Sequence, residues 1–341
     1  MKLLAVLSFG ASLLAQSCMA QSWEPQVSST RASLRGISAV DSHTAFASGT
    51  GGTWLVTGDG GATWRASQVP GAEALDFRGI RAIDPRTVYL MSAGAGDKSR
   101  IYKTTDAGAH WTLLFTNTDP KGFFDSIAFW DGELGIVAGD AVNGRAEIRT
   151  TDDGGRTWVL REPPAALPNE GAFAASNTCL ALQGQSEVWF GTGGTGAARV
   201  LHSKDGGRTW TAAATPMRND SAGAGIFSIA FRDARHGIIV GGDYGKDKED
   251  RQNIALTEDG GATWRTPASR PGGYGSAAAY LASYRMWIVT GTSGSDLSTD
   301  DGKTWRPFDT GAYNAMSFTT QGEGWAVGPQ GRIARFVPPA P

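Results

Sequence analysis

Six aspartates of a 341-residue chain recur in one setting, and the chemistry assigned to them decides how the rest is read. Asp59, Asp106, Asp153, Asp205, Asp259 and Asp300 each stand two residues before a glycine and five before Trp64, Trp111, Trp158, Trp210, Trp264 and Trp305, in phrases such as "TDDGGRTW" and "TEDGGATW". Carboxylates beside glycines could be acids, metal ligands or acceptors inside a turn. Repetition favours the turn, because an acid or base is needed where one substrate converges and six equivalent positions along a chain cannot share it. A calcium loop needs more oxygen ligands than "DGG" supplies. In a turn, the carboxylate accepts N–H groups of its own loop and the second glycine takes positive φ. The preceding Thr or Ser bonds within the turn, and the Trp indole is buried between neighbouring sheets. These twelve residues are therefore read as structural.

Other candidates for chemistry lie in the loops between the phrases. Five inner loops close on an arginine, namely Arg100, Arg145, Arg199, Arg251 and Arg332. Such a set suits bidentate hydrogen bonds to a carboxylate or another anionic ligand. Phe124, Tyr274 and Tyr313 sit where connecting loops enter the next repeat, a place that suits contact with peptide or sugar. For glycoside hydrolysis the candidates are Asp125 and Glu170 as carboxyl groups and Tyr313 as nucleophile. His43, His110, His202 and His236 are scattered, so neither a metal site nor a cofactor is expected. No "GxSxG" elbow is present, and "GTGGTG" at Gly191 falls in a loop of an all-β pattern rather than between a strand and a helix.

The elements that must position these residues follow from the period. The phrase recurs every forty to fifty-five residues, roughly the length of a propeller blade. Short β-branched and aromatic runs precede each phrase and another follows its Trp, giving four strands per repeat without helical periodicity. Blades are expected at about 34–69, 77–116, 124–161, 172–214, 226–267 and 276–308. Residues 312–336 repeat three strands without the phrase, while "SWEPQVS" is an orphan fourth strand with Trp23 in the Trp position. The fold expected is therefore all-β, a seven-bladed propeller of four-stranded blades, the last closed by the N-terminal strand. The turns that hold the repeated phrase then lie on the face opposite the inner loops, and the five arginines are expected to ring the central depression.

Thirty-one Lys and Arg against thirty-three Asp and Glu give a net charge of −2, with no global field to recruit nucleic acid. "MKLLAVLSFGASLLAQSCMA" has the charge, apolar run and small-residue end of an export signal, cleaved after Ala20. Its apolar run is short for a membrane span, and "AQSC" lacks the aliphatic residue that a lipid anchor on Cys18 would want. Residues 21–341 then form one domain, a periplasmic or extracellular monomer whose only thiol, Cys179, sits in an apolar run.

The phrase resembles the Asp-box of BNR-repeat proteins, and the whole chain resembles the photosystem II stability/assembly factor-like branch, with sialidases more distant. That resemblance implies a non-enzymatic scaffold that binds a protein segment, with inner-face arginines as contacts. The alternative is a sialidase-like glycoside hydrolase acting on an exported glycan, but "LRGIS" at Arg35 lacks the Pro of the sialidase "RIP" motif.

Overall fold

The computed structural model describes residues 21–339; the export signal expected at 1–20 lies outside the described residues. Seven antiparallel sheets follow one another along the chain. Blades one to six span Leu34 to Gln68, Phe77 to Thr116, Phe124 to Arg161, Leu180 to Ala214, Ala224 to Thr257 and Ala277 to Asp309. Blade seven joins the two ends of the chain: Ser22–Gln26 pairs antiparallel with Ile333–Val337, placing Trp23 opposite Phe336. In blade five the fourth position is held only by the bridge between Leu256 and Arg265. Pro267, two residues on, has no N–H with which to extend the ladder.

The core is divided among the interfaces between blades. Seven apolar clusters each join two successive blades, as when Ile136, Ala138 and Ile148 of blade three meet Leu180, Val188 and Phe190 of blade four. Each Trp of the repeated phrase packs at the interface with the preceding blade: Trp111 meets Trp54 edge-on at 5.5 Å, and Trp64 meets Trp325 at 6.4 Å. Trp23 fills the corresponding place between blades six and seven. The N-terminal strand thus completes both a sheet and an interface.

The repeated turn consumes its own polar groups. In blade three Thr151 Oγ1 donates to Asp153 Oδ1 at 2.8 Å, and Thr157 donates to the same carboxylate through N at 2.9 Å and Oγ1 at 2.6 Å. Gly155 has φ of 85°, its N–H donates to Thr151 Oγ1, and its carbonyl accepts the indole N–H of Trp158. These donors hold the Asp153 carboxyl down to about 2. The carboxylate bonds recur at Asp59, Asp205, Asp259 and Asp300, while His110 replaces the second Thr at Asp106; the indole bond recurs at Trp210, Trp264 and Trp305, whereas Trp64 donates to Gln26 Oε1.

One segment departs from the expected plan. Blade four was expected to begin near residue 172, but its first strand starts at Leu180. Residues 172–178, "AFAASNT", instead cross the mouth of the central channel. Ala174 O accepts from Arg78 of blade two at 3.0 Å and Arg35 of blade one at 3.4 Å. Asn177 Oδ1 accepts the N–H of Ile127 in blade three at 2.8 Å. Thr178 Oγ1 donates to Ser228 Oγ of blade five, and Ser176 Oγ to Ser276 O beside blade six. Small side chains let this plug lie over the axis. Its seating also requires Gly79, where a Cβ would stand 2.8 Å from Asn177 Oδ1.

Candidate functional site

First strands lie innermost in the ring, and on the face opposite the repeated turns their entry ends surround a cavity of about 360 Å³. Arg35 and Arg78 are the second residues of their strands, so both reach this mouth, as does Asp125 of blade three. Asp140 enters from the end of the neighbouring strand, Gly135–Val142. The plug supplies Phe173, whose ring stacks on Phe227 at 3.9 Å, and Tyr274 meets Phe227 edge-on at 4.7 Å. Exposed Tyr244 closes the aromatic wall. A larger groove of about 660 Å³ borders residues 25–31 and 329–333, but it is shallow and gathers no buried charge.

Charges in the cavity are arranged asymmetrically. Arg78 Nε binds Asp76 at 2.7 Å, while among the described residues Arg35 makes no ion pair with a carboxylate and its Nε lacks a hydrogen bond. Burial, followed by repulsion from Arg78, weakens the hold of Arg35 on its proton. Asp125 is 1% exposed, and among the described residues neither carboxylate oxygen makes a well-formed hydrogen bond, although the N–H groups of Ala174 and Asp140 draw its pKa slightly down. Burial pushes its carboxyl well above the usual range, and Asp140 pushes it further, against an opposing pull from Arg78. Burial also raises Asp140, although Oδ1 accepts the Ala172 N–H at 2.8 Å.

Asp125→Asn is therefore expected to stabilise the protein at neutral pH. Asp125 binds its proton more tightly when folded, so its contribution to stability falls as pH rises above the unfolded value, about 3.9, towards the raised folded value. The groups facing it are Asp140, Arg78 and the Cys179 thiol, which burial keeps protonated. Thermal unfolding should show a midpoint a few degrees above wild type at pH 7.5, with the gain vanishing near pH 4. A gain of equal size at both pH values would refute a buried charge as its cause.

The five arginines singled out from the inner loops do not ring this cavity. Each begins or precedes a third strand, which stands well away from the axis, and each has a partner of its own. Arg100 reaches Asp97 at 3.3 Å, and Arg145 donates to Pro163 O at 2.5 Å. Arg199 grips Glu170 through Nε at 2.9 Å and Nη2 at 2.5 Å, and Arg251 meets Asp220 at 2.6 Å. Arg332 lies over the Tyr313 ring at 5.8 Å.

The aromatic and acidic candidates divide similarly. Tyr274 lines the cavity, but Phe124 is fully buried beside Phe115, and it is Phe123 that reaches the lining. Tyr313 is buried against Trp23 at 5.6 Å, and burial lifts its phenol to about 12. Of the hydrolase candidates Asp125, Glu170 and Tyr313, only Asp125 lines the cavity, since Glu170 is held by Arg199 and Thr192. Among the described residues no group of three or more His, Cys, Asp or Glu could hold a metal ion. Arg35 and Arg78 are the residues that inspection of the inner loops missed. Their signal was the repeated tripeptide "RGI" in successive first strands, "LRGIS" and "FRGIR".

Over 306 residues the chain is 26% identical to the photosystem II assembly protein Ycf48 of Synechococcus sp. (strain JA-2-3B'a(2-13)), spanning 84% of this chain and 79% of that protein. The chain is a seven-bladed propeller homologous to the Ycf48 assembly factors. The solved structure of YCF48 bound to D1 peptide matches with a TM-score of 0.66 at 17% identity, over 94% of this chain and 99% of that one. U3-55K matches nearly as well, with a TM-score of 0.64 at 13% identity over 92% of this chain and 98% of that one. Likeness of that kind carries the fold alone. No family model matches the chain. Among the described residues no helix is long and apolar enough to cross a membrane.

Proposed function

We propose that this protein is an exported, non-enzymatic, monomeric scaffold that binds a segment of a partner protein in the central cavity, on the face opposite the Asp-box turns. Its export signal, residues 1–20, is removed, and 21–341 act as one domain. The observation that carries this reading is the convergence of Arg35 and Arg78 on a cavity with an aromatic wall. Two adjacent guanidinium groups, one without a carboxylate partner, suit a carboxylate of the bound segment. That a homologous propeller has been solved with a D1 peptide supports the same class of ligand for this one. Arg100, Arg145, Arg199, Arg251 and Arg332 serve as outer contacts of the same segment, with weaker effects because each must exchange an internal partner.

A panel of short peptides with free carboxyl ends, titrated by calorimetry, tests this. Arg35→Ala combined with Arg78→Ala should weaken binding at least tenfold, since hydrogen bonds to charged groups are worth about 1.5–3 kcal/mol each. Arg145→Ala combined with Arg199→Ala should cost less. Equal affinity of the Arg35/Arg78 double variant and wild type would remove the cavity as the binding site.

A further inference from the structure

The carboxylate side of the cavity is unexplained by an anionic ligand alone. Asp125 is among the most deeply buried charged residues described, and it lines an accessible cavity, yet neither of its oxygens makes a well-formed hydrogen bond among the described residues, the N–H groups of Ala174 and Asp140 offering only weak polarity. A buried polar group left without a partner costs about 1–3 kcal/mol, and more if charged. Such groups are rare enough to need an explanation. The neighbouring cation does not supply one: Arg78 turns Nε to Asp76 and Nη1 to Ala174 O, and makes no hydrogen bond to Asp125, while Nη2 has no hydrogen bond among the described residues. Asp140 adds a second carboxyl to the same wall, with Oδ1 engaged by Ala172. Facing rings of Phe173, Phe227 and Tyr274 are surfaces on which a cation is well accommodated.

We propose that Asp125, supported by Asp140, receives a cationic nitrogen, so that the bound segment carries a lysine or arginine side chain close to the carboxylate held by Arg35 and Arg78. This rests on the protein-segment reading above and narrows its chemistry. The two halves of the cavity then match a segment with both charges at its end. The volume, equal to that of about a dozen water molecules at ~30 Å³ each, leaves room for a chain end and one long side chain. Insertion of the cation lets both carboxyls ionise, and the proton they had retained leaves to solvent. The other ionisable groups around the cavity are Arg78 with its partner Asp76, Arg35, the Tyr274 and Tyr244 phenols and the protonated Cys179 thiol.

The test uses the secreted chain and four probes: Gly-Gly-Lys, Gly-Gly-norleucine, Gly-Gly-Lys amide and free lysine. Calorimetry should show Gly-Gly-Lys binding at least tenfold more tightly than Gly-Gly-norleucine, with proton release seen as a dependence of heat on buffer ionisation. Asp125→Asn should abolish both the preference and the proton release while leaving the norleucine peptide unaffected. Asp140→Asn should diminish both. Arg35→Ala with Arg78→Ala should weaken both free-acid peptides alike, and the amide should bind like that double variant. If wild type binds the Lys and norleucine peptides equally, or Asp125→Asn keeps the preference, the cation site is overturned and the carboxylate reading stands. If neither free-acid peptide binds, both fall. Free lysine binding as tightly as Gly-Gly-Lys would overturn a protein segment as the source of the cation.

Discussion

Trp23→Ala is expected to destabilise the protein by about 3–5 kcal/mol, the usual cost of truncating a buried large aromatic. Trp23 is 4% exposed and is surrounded by Phe336 at 5.4 Å, Tyr313 at 5.6 Å, Phe318 at 5.9 Å and Phe308 at 6.4 Å. Its indole N–H donates to Ser295 Oγ at 3.1 Å, from a residue 272 positions away. Truncation thus opens a cavity, removes one of the two hydrogen bonds of Ser295 Oγ, which keeps Thr290 Oγ1 at 2.8 Å, and loosens the strand that ties the chain's two ends. No disulfide reinforces that closure, since Cys179 is the one cysteine among the described residues. Thermal unfolding should move down by roughly 10 °C, and hydrogen exchange at Ile333–Val337 should rise before that of other blades. Trp23→Phe should recover part of the loss, keeping the ring and losing the hydrogen bond. A Trp23→Ala loss under about 1 kcal/mol would show that the N-terminal strand is not a clasp.

Much of the fold was legible because its determinants are local and repeated. An Asp-box turn is completed by eight consecutive residues, so Thr151 through Trp158 display on the sequence the bonds that they form in space. Six such turns count blades, and the leftover halves at the two ends imply the seventh. Trp23 was placed correctly for that reason. The site was less legible because its determinants are not local. Residues 172–178 have the small, apolar character of an inner strand, and nothing along the chain says that Ala174 O will face arginines 139 and 96 positions away. Arg199 looked free in its loop, but Glu170 lies 29 residues back and closes on it only once blade four is folded. Arg35 and Arg78 were hidden inside first strands, where alternation turns one face to the channel while the loops draw attention outward.

Arg218→Ala is expected to cost about 3 kcal/mol, towards the lower end of the 3–5 kcal/mol lost when a buried ion pair is broken. Arg218 is 2% exposed, with Nε on Asp220 at 2.7 Å, Nη1 on Glu249 at 2.7 Å and Asp243 at 3.9 Å. Asp220 and Glu249 are half-exposed and can be rehydrated, which moderates the loss, whereas Asp243 is buried and cannot. The guanidinium holds the Asp220 carboxyl below its usual range. Its contribution is therefore complete above the unfolded value, about 3.9, and fades as pH falls through the lower folded value. The gap in unfolding midpoint between wild type and Arg218→Ala should accordingly narrow below pH 4. The consequence extends to the cavity because Asp243, which Arg218 faces, accepts from Ser221 Oγ and Gly245 N at 2.9 Å each. Those bonds hold the two loops that present Ala222 and Tyr244 to the lining. Arg218→Ala should raise hydrogen exchange across 220–224 and 244–252 and weaken peptide binding severalfold without touching the ligand. Arg218→Lys should rescue little, since one ammonium cannot span carboxylates on two loops as a planar fork does. Unchanged exchange in both loops would separate the ion cluster from the site.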